Sequence, residues 1–416
     1  MPERPDPGAL TQVVPRATVV GMVDAGIVER IRELRPLIRQ NALRAEHDRR
    51  VPDEVVAALS GTGVYRMNVP ARYGGYQTPL HTQVDAFAEI ALECASTAWV
   101  TLGQAGVSYI AALFPDEAQD DFFTGPAGPD VRIGGTLVPG ATAVPYDGGY
   151  RVDGASGFAT GCHHAHWHLL TAAVVPADGR PVEGPPEVLW VAVPMSELEI
   201  LDDWDTTGLA GTGSNTVVAH DIPVPAHRVL PLGPMLAGRT PSKTNADDPF
   251  YRMPVLALFC AWTASAALGL GRAALTEFDQ RVHRRGITYT LHQRQHEATV
   301  THLQFAEAQM RISAAELVAA RLTGEIETKA HDGDSYTPRE KARIRAECGY
   351  LTRLCKEAVE LLASAAGASS LQRSVPLQRI ARDVNALTLH SFVNPATNLE
   401  IYGRVLSGVD PGTPFL

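Results

Sequence analysis

Cysteine is scarce in this chain: five residues in 416 (Cys94, Cys162, Cys260, Cys348 and Cys355), odd in number, widely spaced and never in a C-x-x-C pair. A disulfide scaffold and a cysteine-based zinc ribbon are excluded, and reduced thiols in a cytoplasmic protein are the natural reading. Positive charge is also short, with 36 Lys and Arg against 46 Asp and Glu and a net charge of −10. That balance argues against nucleic acid or an anionic membrane as the main partner. No uninterrupted apolar run approaches the ~18–20 residues of a membrane span. The opening stretch MPERPDPGALTQVVPR has no apolar core before a cleavage site, so residues 1–24 read as a flexible lead-in rather than a secretory signal. The P-loop, the G-x-S-x-G elbow and the H-E-x-x-H zinc helix are missing, and no G-x-G-x-x-G follows a strand. These absences disfavour nucleotide hydrolysis, serine esterase chemistry, zinc proteolysis and a Rossmann dinucleotide site.

What is present falls into three zones. Residues 25–125 read as an N-terminal helical domain. Ile27, Ile31, Leu34 and Ile38 step by four, three and four along one helix face, with Pro36 inside the pattern. A second helix is expected from Pro52, carrying Val55, Val56 and Leu59, and a third carries Val84, Phe87, Ile90, Ala91 and Cys94. Residues 126–240 form a central β domain: short β-rich runs near 131–133, 150–152, 169–175, 188–193 and 216–219 are separated by turn clusters such as Asp147-Gly148-Gly149. The pattern predicts a small antiparallel sandwich or barrel. Residues 241–416 are helical again and read as a C-terminal four-helix bundle. Residues 255–337 contain no proline, and Val300, Leu303, Ala306, Met310, Ala314 and Leu317 share one helix stripe. Helices, then a β domain, then long helices is an α+β order.

Three stretches have the composition to carry chemistry. In GFATGCHHAHWH (157–168), His164, His166 and His168 would share a strand face. Nothing else in the chain completes a metal site around them, and polar side chains at an interface are the simpler reading, so no metal is expected. WDTTGLAGTGSN (204–215) offers backbone N–H groups to an anion or a cofactor edge, or else a tight turn into a strand. In QRIARDVNALTLH (378–390), Arg379 and Asp383 stand i,i+4 and so suit a structural ion pair, while Arg382 and His390 are free to face a pocket.

Taken in order, RYGG (72–75), STAWV (96–100), GGTLVP (134–139), GGYRVDG…FATGC…W (148–167), the 204–215 loop, VPAHR (224–228) and PLQRIARD…H (376–390) resemble the acyl-CoA dehydrogenase superfamily over nearly the whole chain. The closer resemblance is to the oxygenase components of two-component flavin monooxygenases, such as the hydroxyphenylacetate, steroid-phenol and dibenzothiophene monooxygenases and the amino-sugar nitrososynthases. The resemblance implies an acyl-CoA dehydrogenase-like fold and a homotetramer. It implies reduced FAD or FMN delivered by a separate NAD(P)H flavin reductase, with O2 as co-substrate and a flavin C4a-hydroperoxide as oxidant. By the same resemblance Trp99, Thr136, Leu137, Thr160, Gly161 and Arg382 contact the flavin. Thr160 guards the adduct, and His390 orients or deprotonates the substrate.

The sequence departs from the family at several places. Counting nine residues from Arg382, the position of the dehydrogenase carboxylate base in many members, lands on Ser391, which cannot take an α-proton unaided. Ala210 stands where many relatives carry Arg, and Ser156 where a Trp is common. Val107-Ser108-Tyr109 occupies the stretch where phenol hydroxylases have a His, and the FAD-type arginine phrase is approximated by Arg281…Arg285-Gly286. The expected activity is hydroxylation of an aromatic or heteroaromatic small molecule. N-oxygenation of an amine or amino sugar, and an acyl-CoA dehydrogenase with a relocated base, are the alternatives.

Overall fold

The computed structural model describes residues 26–178 and 184–416; the predicted lead-in, residues 1–24, lies outside them. The chain opens with α1 (Ile27–Asp48), α2 (Asp53–Gly61), α3 (Leu80–Glu93), α4 (Ala95–Ala111) and α5 (Asp116–Phe123). In α1 the expected face is buried at Ile27, Ile31 and Ile38. The helix runs through Pro36 although proline removes a helical hydrogen bond. Side-chain bonds on both sides of the proline hold α1 to α3: Arg32 to Glu89 at 3.2 Å, Arg35 to Glu93 at 2.7 Å and Arg39 to Glu93 at 2.5 Å. α3 and α4 are separated only by Cys94, whose extended backbone (φ −155°, ψ 110°) turns the chain between two nearly fully buried helices.

The centre of the chain is one eight-stranded sheet: β1 (Ile133–Gly135), β2 (Ala141–Tyr146), β3 (Gly149–Ser156), β4 (Trp167–Val174), β5 (Val188–Pro194), β6 (Glu199–Ile200), β7 (Val217–Pro225) and β8 (Val229–Pro231). The spatial order is β6-β7-β3-β2-β4-β5-β8, with β1 also on β4. The all-antiparallel expectation needs correction, because β1 and β2 both run parallel to β4. Together they make one interrupted strand along that edge: Gly135 pairs with Leu169 and Ala141 with Ala172. Six residue steps on one side therefore face three on the other, and residues 136–140 are pushed off the sheet. Short-turn reasoning pairs neighbours in sequence. Here the β2–β3 hairpin is inserted before β4, so the chain returns in the parallel sense.

After α6 (Leu232–Leu236) come α7 (Val255–Val282), α8 (Thr299–Asp332), α9 (Pro338–Ala365), α10 (Pro376–Leu387) and α11 (Pro395–Leu406). α9 starts at a capping box formed by Thr337 and Glu340. α7 is long and apolar enough by composition to cross a bilayer, yet 89% of its apolar window is buried inside the protein. It crosses α3 so closely that a Cβ at Gly269 would lie 2.4 Å from the Ala88 carbonyl oxygen.

The α8 stripe singled out by periodicity faces outward. Leu303, Met310 and Leu317 are 66%, 67% and 65% exposed, and the buried face is instead Ala308, Ile312, Ala315, Ala319, Leu322 and Ile326. Three–four spacing identifies residues that share a face; it does not say which of two apolar faces packs inward.

The crossing of α3 and α7 generates a stability test. Gly269→Ala should destabilise the protein by about 1–3 kcal/mol through overpacking. Gly324→Ala on α8, where a Cβ meets nothing within 4 Å, should be neutral or slightly stabilising. Denaturant midpoints of the two variants check the contrast.

Candidate active site

Three sequence segments meet along one face of α4. Gly103 leaves that face bare, with the Thr160 methyl group 3.8 Å from where a Cβ would sit. One turn earlier on the helix, the Trp99 ring packs edge-on against His390, centroids 5.0 Å apart. His390 follows the end of α10 and also touches Phe392 at 4.9 Å, which stacks on Phe259 of α7 at 5.2 Å. The α4 face thus has the Thr160 side chain, methyl group inward, at one end and an imidazole at the other.

Thr160 is held by its neighbours on the 157–164 turn and on the 204–215 loop. Its Oγ1 lies 3.0 Å from Ser214 Oγ, and Ser214 Oγ lies 2.8 Å from Thr212 Oγ1. The loop and the turn are laced by backbone bonds, Ala159 N–H to Asn215 O and Gly161 N–H to Thr212 O, both 3.0 Å. Gly161 sits in the left-handed region at φ 64°. A Cβ there would come within 2.7 Å of Val100 and 2.9 Å of the Gln104 amide, which donates to the Gly161 carbonyl at 2.9 Å. The glycine is what allows the turn to lie on α4.

Thr136 begins the excursion between β1 and β2. Its carbonyl accepts bonds from Thr171 Oγ1 and, at 2.8 Å, from Trp190 Nε1, and its Oγ1 lies 3.0 Å from Ser156 Oγ. Leu137 beside it is half-buried against the core.

Arg382 bonds protein groups through each of its three guanidinium nitrogens: Glu46 on α1 at 2.7 Å, Gln378 at 2.9 Å, and the Thr207 carbonyl. Among the described residues the anticipated Arg379–Asp383 ion pair does not form; Asp383 instead accepts the Leu209 N–H at 2.7 Å. Burial pushes the Asp383 carboxyl up to about 6. Ala210, in the place of the family arginine, is buried in this clamped loop.

The histidines of the 157–168 stretch do not share a face. His163 meets the Asn215 amide at 3.1 Å, His164 the Val51 carbonyl at 2.8 Å, and His166 Nδ1 accepts the Arg132 N–H at 3.0 Å. His168 is fully buried. Among the described residues no cluster of three or more His, Cys, Asp and Glu is placed to hold a metal.

Burial pushes His390 down to about 4, so its imidazole is neutral at pH 7. The ring is partly accessible by surface area; the apolar groups packed around it, rather than that open rim, set the cost of charging it. Phe392 N–H points at Nδ1, 3.4 Å away, which leaves the proton on Nε2. His390 therefore enters the site as a neutral donor, and a group that titrates near 4 is a weak base.

The hydroxyl chain Thr160–Ser214–Thr212 escaped sequence reading, being visible only once the two loops are docked. The two arginines of the approximate FAD-type phrase, Arg281 and Arg285, converge at the end of α7. Arg281 reaches Ser369 Oγ at 3.0 Å and Arg285 reaches it at 2.6 Å, while Arg281 Nε is buried without a partner. Burial and the neighbouring Arg285 lower the Arg281 pKa. Two converging cations with a bare N–H suit an anion. A small cavity lies elsewhere, between α1, α3, α7 and α10, lined by Arg39, Glu93, Glu277, Arg379 and Asp383. Its lining is largely charged.

A helical layer, a β sheet and a long-helix layer, with the site where they meet, define an acyl-CoA dehydrogenase-type protein. The chain matches the acyl-CoA dehydrogenase N-terminal domain family over residues 29–126 and the C-terminal domain family over residues 261–395. It is 32% identical to the oxygenase component of the FADH2-dependent resorcinol hydroxylase of Rhizobium sp. (strain MTP-10005), covering 96% of each chain. It is 26% identical to the oxygenase component of p-hydroxyphenylacetate 3-hydroxylase from Acinetobacter baumannii, over 92% of this chain and 90% of that one. The structure of XiaF from Streptomyces sp. in complex with FADH2 and glycerol superposes with a TM-score of 0.88 at 32% identity, covering 94% of this chain and 97% of that one. The chain belongs to the flavin-dependent monooxygenases of the acyl-CoA dehydrogenase superfamily, as an oxygenase component.

Burial of the histidines generates a pH test. His164, His166, His168 and His390 are each pushed from 6.5 down to about 4. The unfolded chain takes up their protons first, so the stability they contribute is full above 6.5 and is lost as pH falls toward 4. Asp383, raised to about 6, and Glu277, also raised, act in the opposite sense over that range. Near pH 5 unfolding should take up a net of about two to three protons, read as the slope of stability against pH. A flat stability profile between pH 6.5 and 4.5 would contradict the neutral, buried histidines.

Proposed function

We propose that this chain takes reduced FAD from a separate NAD(P)H-dependent flavin reductase and uses O2 to hydroxylate an aromatic or heteroaromatic small molecule. The observation that carries this reading is the α4 face, with Thr160 over the bare Gly103 and His390 against Trp99. Ring hydroxylation is favoured over amine oxygenation because the relatives above are named for resorcinol and hydroxyphenylacetate.

The residues present fit a flavin. Trp99 offers an aromatic wall, Thr136 and Thr160 offer hydroxyls, Leu137 offers an apolar contact, and Gly161 lets the Thr160 turn close on α4. The Arg281–Arg285 pair, with its bare Nε, suits a phosphate of the nucleotide. When bound, the reduced flavin supplies the two electrons that activate O2. Thr160, its hydroxyl fixed by Ser214, would offer that hydroxyl to the flavin, and the apolar wall of Trp99, Phe392 and Phe259 would exclude water. His390 donates from Nε2 to an acceptor oxygen of the substrate and orients it. Arg382 acts at one remove, gripping the loop that carries Ser214.

The homotetramer and a cytoplasmic setting belong to the same reading. The outward apolar stripe on α8, Val300, Leu303, Met310 and Leu317, suits burial against a second copy. All five thiols are free and buried, as in a reducing compartment.

The deciding experiment loads the protein anaerobically with reduced FAD, measures its affinity by titration, and then mixes it rapidly with oxygenated buffer. Oxidised flavin should appear at least about tenfold more slowly than from free reduced flavin, a delay worth some 1.4 kcal/mol of barrier. Oxidation at the free-flavin rate would overturn the reading. Thr160→Val should shorten the delay while leaving reduced-flavin affinity within a few-fold. His390→Ala should keep the delay and lose product, and His390→Gln, which retains a donor, should recover part of it. For the assembly, Leu303→Glu should shift sedimentation to a smaller species without changing the helical content.

A further inference from the structure

His168 is the most deeply buried of the four histidines in the 157–168 stretch. It stands on β4, fully buried, opposite Gly134 of β1. A Cβ on Gly134 would lie 2.9 Å from His168 Nδ1, and that nitrogen has no hydrogen-bond partner. Its other nitrogen, Nε2, lies 3.5 Å from Ser156 Oγ, which is itself 3.0 Å from Thr136 Oγ1. Ser156 is buried, whereas Thr136 is partly open. A line of three polar side chains thus runs from the interior of the sheet to the start of the 136–140 excursion, and it ends at a residue assigned to the flavin seat.

The two tautomers of His168 give opposite results at the open end. With the proton on Nε2, the ring donates to Ser156 Oγ. Ser156 then donates to Thr136, and the Thr136 O–H is left to donate outward. With the proton on Nδ1, Nε2 accepts from Ser156, Ser156 accepts from Thr136, and Thr136 turns a lone pair outward. The choice is settled in the interior. A bare N–H buried among apolar groups is a rarer and costlier defect than a bare acceptor. Since Nδ1 is the nitrogen without a partner, it is the one that goes unprotonated.

We propose that His168 is a positioning residue: acting through Ser156, it sets the hydroxyl of Thr136 as a donor facing the flavin seat. The inference rests on the functional reading above for the identity of what Thr136 faces, but not for the direction of the relay. It also explains the small residue at 156. A large side chain in that position would interrupt the line between His168 and Thr136, whereas a serine carries it.

The first test reads the apoprotein. Uniform 15N-histidine labelling and NMR should show a neutral His168 with a pyrrole-type Nε2 and a pyridine-type Nδ1, assigned as the resonance pair that moves in Ser156→Ala. An Nδ1–H tautomer or a protonated ring would overturn the proposal. The second test is an anaerobic titration with reduced FAD. Ser156→Ala and Thr136→Val should each weaken binding by about three- to tenfold, the range of one hydrogen bond. The double variant should bind no more weakly than Thr136→Val alone, because Ser156 acts only through Thr136. Multiplying effects would show that Ser156 is merely structural and would sink the relay. If the wild-type protein takes up no reduced FAD at all, the functional reading fails, and the tautomer alone decides the orientation proposed for Thr136.

Discussion

The hydrogen bond from the Leu209 amide to the buried carboxylate of Asp383 ties the three layers of this protein together. Leu209 sits in a left-handed conformation at φ 52°, unusual for a residue with a branched side chain. It belongs to the 204–215 loop, which Arg382 also holds through the Thr207 carbonyl. One residue earlier, Gly208 is pressed against the Arg382 carbonyl, so α10 grips the loop by backbone contact as well. The far end of the same loop carries Ser214 and Asn215, which fix Thr160, Ala159 and His163. Removing the Asp383 acceptor would leave a strained amide buried without a partner and would uncouple the 157–164 turn of the sheet from the helical layer beneath it.

Around the 157–168 stretch and His390, charge is excluded by burial more than balanced by pairing. Four histidines remain neutral because the fold takes them out of water. The charged groups are gathered elsewhere, in the α1–α3 lattice of Arg35, Arg39, Glu89 and Glu93 and in the Arg382–Glu46 bridge.

The order of layers was legible in the sequence because it depends on patterns with a clear physical period. The helical face of Ile27, Ile31 and Ile38, the β-rich middle and the proline-free C-terminal stretch each carry such a period. Trp99, Thr160 and His390 were legible as a set only through family motifs; nothing in their spacing says that one helix face brings them together. Other features depend on what lies across a contact, which a single strand of text does not record. The α8 stripe has the right period but the wrong neighbour, since a second apolar face on the same helix packs inward. Asp383 passes over its i,i+4 arginine because a backbone amide from a distant loop arrives closer. His168 reads like its three neighbours until β1 and β4 are laid side by side.

The interruption between β1 and β2 has a consequence for how such a protein can change. The ladder along β4 resumes at Ala141 whatever the course of the chain before it, because the segment is pinned at its ends, through the Thr136 carbonyl and through Gly140 N–H bonded to Thr171 O at 3.1 Å. Residues 137–139 carry no rung of the sheet, and Val138 stands in the open. Lengthening or recomposing this short span leaves the register of the strands on either side untouched. A lineage can therefore reshape this span by insertion and drift while the framework below it stays the same, so that change at this surface is separated from the capacity to fold.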